Sequence, residues 1–276
     1  MNRRTATFGL LATLALAGCS ASEAAPPPRY EAGGTVLEGG GHGPQLCLTV
    51  MTSLPPQCSG LDVVGWDWSK VDHESQGGVK WGEYHVVGTW DGTRLTLTEP
   101  PGAPQKAAPA RKEDFTSPCP APEGGWRPVD PAKATQQALD KAMARAGTVE
   151  EFAGAWLDQS YMDGLPAESP EANDPLRLVL NLKFTGDLSG REAWVREVWG
   201  GALCVSGAAR SESELQAIQQ EVEAELGDRL VSASSSVLRN QVEAQVWVAT
   251  DEQRRDLDAK HGAGAVVLNG VLKQVG

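Results

Sequence analysis

One acidic stretch of the chain has the spacing of a metal-binding loop. In "DHESQGGVKWGE", Asp72, Glu74, Gln76, Gly77 and Glu83 occupy relative positions 1, 3, 5, 6 and 12, which is the pattern of a calcium loop. However, positions 3 and 5 carry Glu and Gln where such loops favour Asp or Asn, and the flanking segments are strand-like. The competing interpretation is a solvated acidic hairpin loop, so Asp72, Glu74 and Glu83 are weak candidate ligands for a divalent metal.

Carboxylates could also act in pairs, as they do in a cell-wall or glycan hydrolase. Asp62, Asp67 and Asp72 are available for that chemistry, but the sequence indicates no partner geometry for them. A serine nucleophile is not indicated either, because "GDLSG" lacks the spacing of a nucleophile elbow. Phosphate-binding and dinucleotide-binding loops are absent, so no catalytic residue and no cofactor is assigned.

Histidine is scarce in this chain, which limits general acid–base chemistry. The chain contains four, namely His42, His73, His85 and His261. We interpret His42 as a loop residue of "GGGHGP", His85 as a surface or packed strand residue, and His261 as the polar end of a helix.

Four tryptophans in the first hundred residues are the remaining candidates for ligand binding: Trp66, Trp68, Trp81 and Trp90. Trp66 and Trp68 are two residues apart, and within one strand they would face the same side of a sheet. Indole rings on a sheet face stack on sugar rings or apolar ligands, but they also form the core of a small barrel. The core is the favoured interpretation.

The first residues predict export. Arg3 and Arg4 precede an uncharged apolar run of roughly 13 residues, which is too short for a membrane-spanning helix of about 20 residues. The run ends in Leu16-Ala17-Gly18-Cys19, which resembles the lipobox of bacterial lipoproteins. That resemblance implies cleavage after Gly18 and lipidation of Cys19. The protein would then be anchored by lipid to the extracytoplasmic face of the cell membrane.

The charge of the chain excludes one class of partner. The formal net charge is −12, and removal of a leader containing Arg3 and Arg4 makes the remainder more acidic. An acidic surface is repelled by phosphate backbones and by anionic lipid headgroups. We therefore expect no nucleic-acid binding, and attachment to the membrane through lipid on Cys19 rather than through charge.

The other cysteines are four in number, which favours disulfides in an exported chain. Three pairings are open, and the sequence alone does not choose among them. We favour Cys47–Cys58, which closes a short loop, and by remainder Cys119–Cys204.

The elements that would position these residues fall into two groups. Short segments rich in branched or aromatic residues, from "GTVLEG" to "TRLTLTE", predict about five strands and a small, barrel-like, all-β domain. Asp91-Gly92 predicts a hairpin between two of them. Past residue 130, capping boxes predict helices that alternate with strands. These boxes pair Thr148 with Glu151, Ser189 with Glu192, Ser211 with Glu214, and Thr250 with Gln253. We expect a two-layer α/β domain there, of the ferredoxin-like kind, and an α+β protein as a whole.

The domain plan that follows is a signal peptide at 1–18, a disordered tether at 19–34, the β domain at 35–99, a proline-rich linker at 100–129 and the α/β domain at 130–276. The segments "LCLTVMTSLPPQC", "GWDW", "KWGEYHVVGTWDG" and "WGGALCV" resemble uncharacterised lipoproteins of actinomycete type. That resemblance implies the location and the domain plan, and it transfers no catalytic residue.

The leading functional hypothesis is a non-enzymatic binding or interaction module of the cell envelope. Its partner would be an unknown envelope protein or glycan. A hydrolase that uses paired carboxylates and a divalent-metal-binding lipoprotein are the alternatives.

Overall fold

A computed structural model describes residues 26–105, 112–166 and 168–275. Over these residues the chain forms thirteen strands and four α-helices, so the fold is a mixture of α and β structure. The leader and the lipidation candidate Cys19 lie outside the described residues. Among the described helices, none has both the length and the apolar character needed to cross a membrane.

Six strands form the first part of the molecule: β1 Arg29–Gly39, β2 His42–Cys47, β3 Gly60–Val64, β4 Glu74–Gln76, β5 Val79–Trp90 and β6 Arg94–Leu97. Five of them close into a barrel in the order β1-β2-β3-β6-β5, because β1 pairs with both β2 and β5. The short β4 forms a hairpin with β5 outside the ring. Closure leaves these five strands without a free edge, and the predicted barrel-like β sheet is confirmed.

Alternating apolar side chains fill the barrel. The buried members include Val36 of β1, Leu46 of β2, Val63 of β3, Val86 of β5 and Leu95 of β6. Since successive residues of a strand face opposite sides, each strand contributes every second residue to this core.

The first strand begins earlier than the sequence indicates. Residues 29–34, which the sequence assigns to the tether, form the first half of β1 and pair with β5. Gly33 and Gly34 give no apolar signal, but a Cβ on Gly34 would lie 3.2 Å from the carbonyl oxygen of Cys47. A small residue at position 34 is therefore suited to the close approach of β1 and β2.

Residues 136–270 contain the same order of elements twice. The first unit consists of α1 Gln136–Ala146, β7 Phe152–Asp158, β8 Val179–Phe184, α2 Arg191–Arg196 and β9 Ala202–Gly207. The second consists of α3 Glu212–Leu226, β10 Leu230–Ser236, β11 Gln241–Val246, α4 Asp251–His261 and β12 Val266–Gly270. In each unit the middle strand is antiparallel to the strand before it and parallel to the strand after it.

The expected ferredoxin-like sheet is not confirmed. The two units form separate three-stranded sheets, in the orders β7-β8-β9 and β10-β11-β12, instead of one continuous sheet. The reason is that α2 and α4 each return the chain beside the preceding strand, so each sheet is completed within its own unit. Each unit also has its own apolar core.

One predicted helix is a strand. Thr148 and Glu151 do not cap a helix, because the Thr148 hydroxyl donates to the carbonyl of Arg145 at the end of α1. The chain then forms β7, with a register shift against β8 between Phe152 and Gly154. Gly154 has a φ of +123°, and a Cβ there would lie 2.6 Å from Val237 of the second unit. The strand is therefore determined by a distant contact.

The other capping boxes differ in outcome. The Ser211–Glu214 box at the start of α3 and the Thr250–Gln253 box at the start of α4 are both formed. The Ser189–Glu192 box is not formed: α2 begins at Arg191, after Gly190 in a left-handed conformation without a side-chain cap.

The last strand returns to the barrel. β13, Lys273–Val275, pairs antiparallel with the first residues of β1, and Arg29 lies opposite Val275. The end of the segment assigned to the α/β domain therefore extends the sheet of the β domain.

Candidate functional site

Two disulfides are formed within the described residues, and both follow the favoured pairing. Cys47 is bonded to Cys58, and Cys119 is bonded to Cys204. The second bond joins the proline-rich segment to β9. Cys119 and Trp126 pack against the buried side chains of β8 and β9, so these two residues hold the described part of that segment on the sheet of the first unit.

Residues 112–117, here called the connector, are attached by polar contacts to the same sheet and to the second unit. The N–H and the hydroxyl of Ser117 donate to Asp158 at 2.7 and 2.8 Å. The indole N–H of Trp156 donates to the carbonyl of Phe115 at 3.0 Å. Glu113 forms an ion pair with Arg239 of the second unit. These contacts place the connector across the end of β7.

A cavity of about 650 Å³ lies between the connector and β7. Its walls are residues 112–116 on one side and residues 156–160 with Asp163 on the other. We call it the Trp156 groove. Its volume falls in the range of small-molecule pockets, and its lining combines aromatic rings with carboxylates.

Trp156 has a fixed orientation in this groove. Its indole N–H bond to Phe115 holds one edge of the ring. The ammonium group of Lys183 lies 5.1 Å from the ring centroid, within the range of a cation–π contact. That ammonium also donates to the carbonyls of Val237 and Leu238, and burial lowers the pKa of Lys183. The ring is therefore a rigid, positioned wall.

Asp158 is the buried carboxylate of the groove, with 4% of its surface exposed. Burial raises the pKa of Asp158, but hydrogen bonds from the Ser160 N–H and from Ser117 lower it by more. The pKa therefore lies below its ordinary value. The carboxylate is ionised at neutral pH and accepts three hydrogen bonds, two of which, from Ser117, fasten the connector.

We expect Asp158→Asn to lower the free energy of unfolding at pH 7 by about 2 kcal/mol. The single amide oxygen cannot replace both carboxylate oxygens, one of which accepts from Ser117 and the other from Ser160. The pKa of Asp158 is depressed by folding, so its contribution is present above the ordinary aspartate pKa of about 4 and is lost as the pH falls further. The gap between wild type and variant should therefore persist from pH 7 to about pH 4 and narrow below it.

Urea denaturation at several pH values measures this gap. Asp140→Asn is the control, since that carboxylate is exposed on α1 and accepts one hydrogen bond from Gln136. A gap that stays constant down to pH 2 would contradict the assignment of charge to Asp158.

Comparison with known proteins does not assign a role to the groove. No protein-family model matches the chain, and no curated protein matches it. The roles of the groove residues are therefore argued from their geometry.

The four tryptophans predicted as ligand candidates lie elsewhere. Trp68 is buried in the barrel core, and Trp66 and Trp90 pack against that core. Trp81 packs against a second small cluster with Leu37. Rings that pack in this way stabilise the barrel, which agrees with the favoured interpretation.

Trp66 and Trp68 are not on one strand. β3 ends at Val64, Gly65 has a φ of +86°, and Trp68 begins a short 3-10 helix capped by Asp67. The two rings nevertheless meet edge to face, with centroids 5.2 Å apart. The turn at Gly65, rather than strand alternation, brings them together.

The metal candidates do not converge. Glu74 is exposed on β4, the Tyr84 hydroxyl donates to the backbone carbonyl of Asp72, and the Glu83 side chain accepts from Thr35. Among the described residues, no group of three or more His, Cys, Asp or Glu side chains is arranged to hold a metal ion. Gly77 and Gly78 form the tight turn of the β4–β5 hairpin, so the segment has the geometry of a hairpin.

The carboxylates considered for hydrolysis have local structural contacts. Asp62 accepts from the side chain of Gln45 at 2.8 Å. The hydroxyl and the backbone N–H of Ser69 hydrogen-bond to Asp67 and lower its pKa. Neither residue lines the Trp156 groove.

The histidines lie at separate places in the fold. His42 and His73 each contact a nearby backbone carbonyl. His85 lies 3.1 Å from Glu31 across the barrel strands. His261 is the last residue of α4, with 4% of its side chain exposed.

Sequence reasoning missed the groove itself. The Thr148–Glu151 box predicts a helix through Trp156, which lies on β7, and no sequence pattern singles out Asp158. The alternation in "FAGAWLD" is a strand signal, since buried and half-buried side chains follow one another along β7. The connector, by contrast, has no periodic signal, and its position depends on Cys119 and Ser117.

Proposed function

We propose that this protein is a lipoprotein held at the extracytoplasmic face of the cell membrane by lipid on Cys19. The leader and the Leu16-Ala17-Gly18-Cys19 pattern support the anchor. The two disulfides support an oxidising compartment outside the cytoplasm. The grouping with lipoproteins of actinomycete type belongs to the same proposal.

The proposed role is that of a non-enzymatic binding module of the cell envelope, and the Trp156 groove is its binding site. The observation that carries this role is a cavity of about 650 Å³ whose aromatic wall is held rigid by Phe115 and Lys183. A preformed wall favours binding, because little side-chain freedom is lost when a ligand enters. The partner is an envelope protein or a glycan.

The anchor is tested by replacing the lipidated residue. Cys19→Ser is expected to leave the chain without lipid and to shift it from the membrane fraction, since one or more acyl chains supply the attachment. The measurement is mass spectrometry of the cell-derived protein together with fractionation. Ser20→Ala, which keeps the cysteine, is the matched control and should remain bound to the membrane.

Two results would contradict the proposal. One is a wild-type chain that retains Met1 or that starts at residue 19 without a fatty acid. The other concerns the role: turnover of purified cell-wall glycan that is lost in Asp163→Asn would show an enzyme instead of a binding module.

A further inference from the structure

The walls of the Trp156 groove carry more negative than positive charge. Four carboxylates, those of Glu113, Asp114, Asp158 and Asp163, line it together with one ammonium, that of Lys112. Arg239 pairs with Glu113 and so neutralises one of the four. The three aspartates outnumber the ammonium groups of Lys112 and of Lys183, which lies beside Trp156, and none of the three forms an ion pair with a cation among the described residues.

Two of these aspartates repel each other. Hydrogen bonds from the hydroxyl and the N–H of Thr116 lower the pKa of Asp114, whereas loss of hydration and, to a smaller extent, the charge of Asp158 raise it. Two like charges within interaction range are a source of unfavourable energy that a bound cation would relieve. The hydrogen bonds keep both groups ionised, so the repulsion persists at neutral pH.

The aromatic wall suits a cation as well. The Trp156 ring already accepts the ammonium of Lys183 at 5.1 Å. Beside it, the Phe115 side chain is half exposed. Flat guanidinium groups stack on such rings and form hydrogen bonds with carboxylates in the same contact.

The whole molecule adds to this local charge. With a formal net charge of −12, it attracts basic partners and speeds their association. A neutral glycan would gain nothing from that field, whereas a basic peptide would.

We propose that the Trp156 groove binds an arginine or lysine side chain from a basic segment of a partner protein. The guanidinium or ammonium would lie between Asp114 and Asp163, with its aliphatic stem against Trp156. The inference rests on the proposed function only in that the partner is an extracytoplasmic protein.

The test uses the full lipid-modified chain in detergent micelles and two fluorescein-labelled peptides, Gly-Arg-Gly-Arg-Gly and the same peptide with citrulline in place of arginine. Citrulline keeps the shape and removes the charge. Fluorescence anisotropy is expected to show binding of the arginine peptide and at least about tenfold weaker binding of the citrulline peptide.

Substitutions then locate the binding. Asp114→Asn with Asp163→Asn is expected to weaken binding of the arginine peptide about tenfold. The control is Asp140→Asn with Asp256→Asn, which makes the same change in total charge at exposed helix positions outside the groove. It should change the affinity less than about twofold.

Three results would overturn the inference. The first is equal affinity for the citrulline peptide and the arginine peptide. The second is an equal loss of affinity in both pairs of substitutions, which would indicate that the peptide is attracted by the net charge of the protein and not by the groove. A neutral oligosaccharide such as chitotetraose could bind at the groove while the arginine peptide does not, which would favour the glycan. Mass spectrometry of the same preparation reports lipid on Cys19, so failure of the anchor and failure of the inference are read separately.

Discussion

Replacing Cys119 and Cys204 together by alanine is expected to lower the free energy of unfolding by about 4.5 kcal/mol. The bond spans 85 residues of sequence, and the entropy that a cross-link removes from the unfolded chain increases with the length of the loop. Alanine is chosen because Cys204 is buried, with 1% of its surface exposed. The loss is measured by guanidinium denaturation.

Cys47→Ala with Cys58→Ala is the matched control. That bond spans 11 residues, and the same relation gives a loss of about 2.8 kcal/mol. A larger loss at Cys47–Cys58 than at Cys119–Cys204 would contradict the expectation.

The long bridge also holds the connector, so its removal should affect the groove before global unfolding. We expect faster amide hydrogen exchange at Ser117, whose N–H donates to Asp158, because local opening exposes that donor.

Trp199→Ala is expected to cost about 3 to 5 kcal/mol of unfolding free energy. The Trp199 side chain is fully buried in the core of the first unit. Its indole N–H donates to the carbonyl of Ala202 at 3.0 Å. A Cβ on Gly201 would lie 2.1 Å from the ring, so glycine leaves the space that the ring fills. The substitution creates a cavity and leaves a carbonyl without its donor.

Two variants separate these effects. Trp199→Phe keeps most of the ring volume and loses only the N–H, so it should cost less than Trp199→Ala. Trp194→Ala removes a ring that is only partly buried at the edge of the same core, and it too should cost less. Equal losses in all three, measured by thermal and urea unfolding, would rule out the cavity as the main cause.

Local signals were sufficient for part of this fold. The Asp91-Gly92 pair predicted the β5–β6 hairpin, where hydrogen bonds from the backbone N–H groups of Thr93 and Arg94 lower the pKa of Asp91 to about 2. The short spacing of Cys47 and Cys58 favoured the correct disulfide. Capping boxes at Ser211 and Thr250 predicted the starts of α3 and α4. These signals are also local, because the donor and the acceptor of each box are three residues apart.

Long-range contacts decided what the sequence did not reveal. β7 is a strand because it pairs with β8 and because Gly154 packs against Val237, 83 residues further along the chain by residue number. The repeat of the two units is also not visible in the sequence. Their order of elements is the same, but α2 has 6 residues and α4 has 11, so no constant period runs through the sequence.

The candidate site shows the same division. The sequence predicted ligand candidates from the clustering of large aromatic residues in the β segment, namely Trp66, Trp68, Trp81 and Trp90. Trp156 forms a groove only because the connector returns across β7, and that return depends on Ser117 and on the bond from Cys119 to Cys204. The cysteine count favoured the disulfide, but the contact of Ser117 with Asp158 has no sequence pattern.

The pairing of β13 with β1 has a consequence for chain connectivity. Arg29 and Val275 are neighbours in one ladder, so a few glycines could join the two ends of the described body without distorting it. New termini could then be opened at the exposed Gly77-Gly78 turn, where the connection carries little packing. Such a circular permutation would move the proposed attachment point to the opposite end of β5 and would place the groove at a different height above a surface.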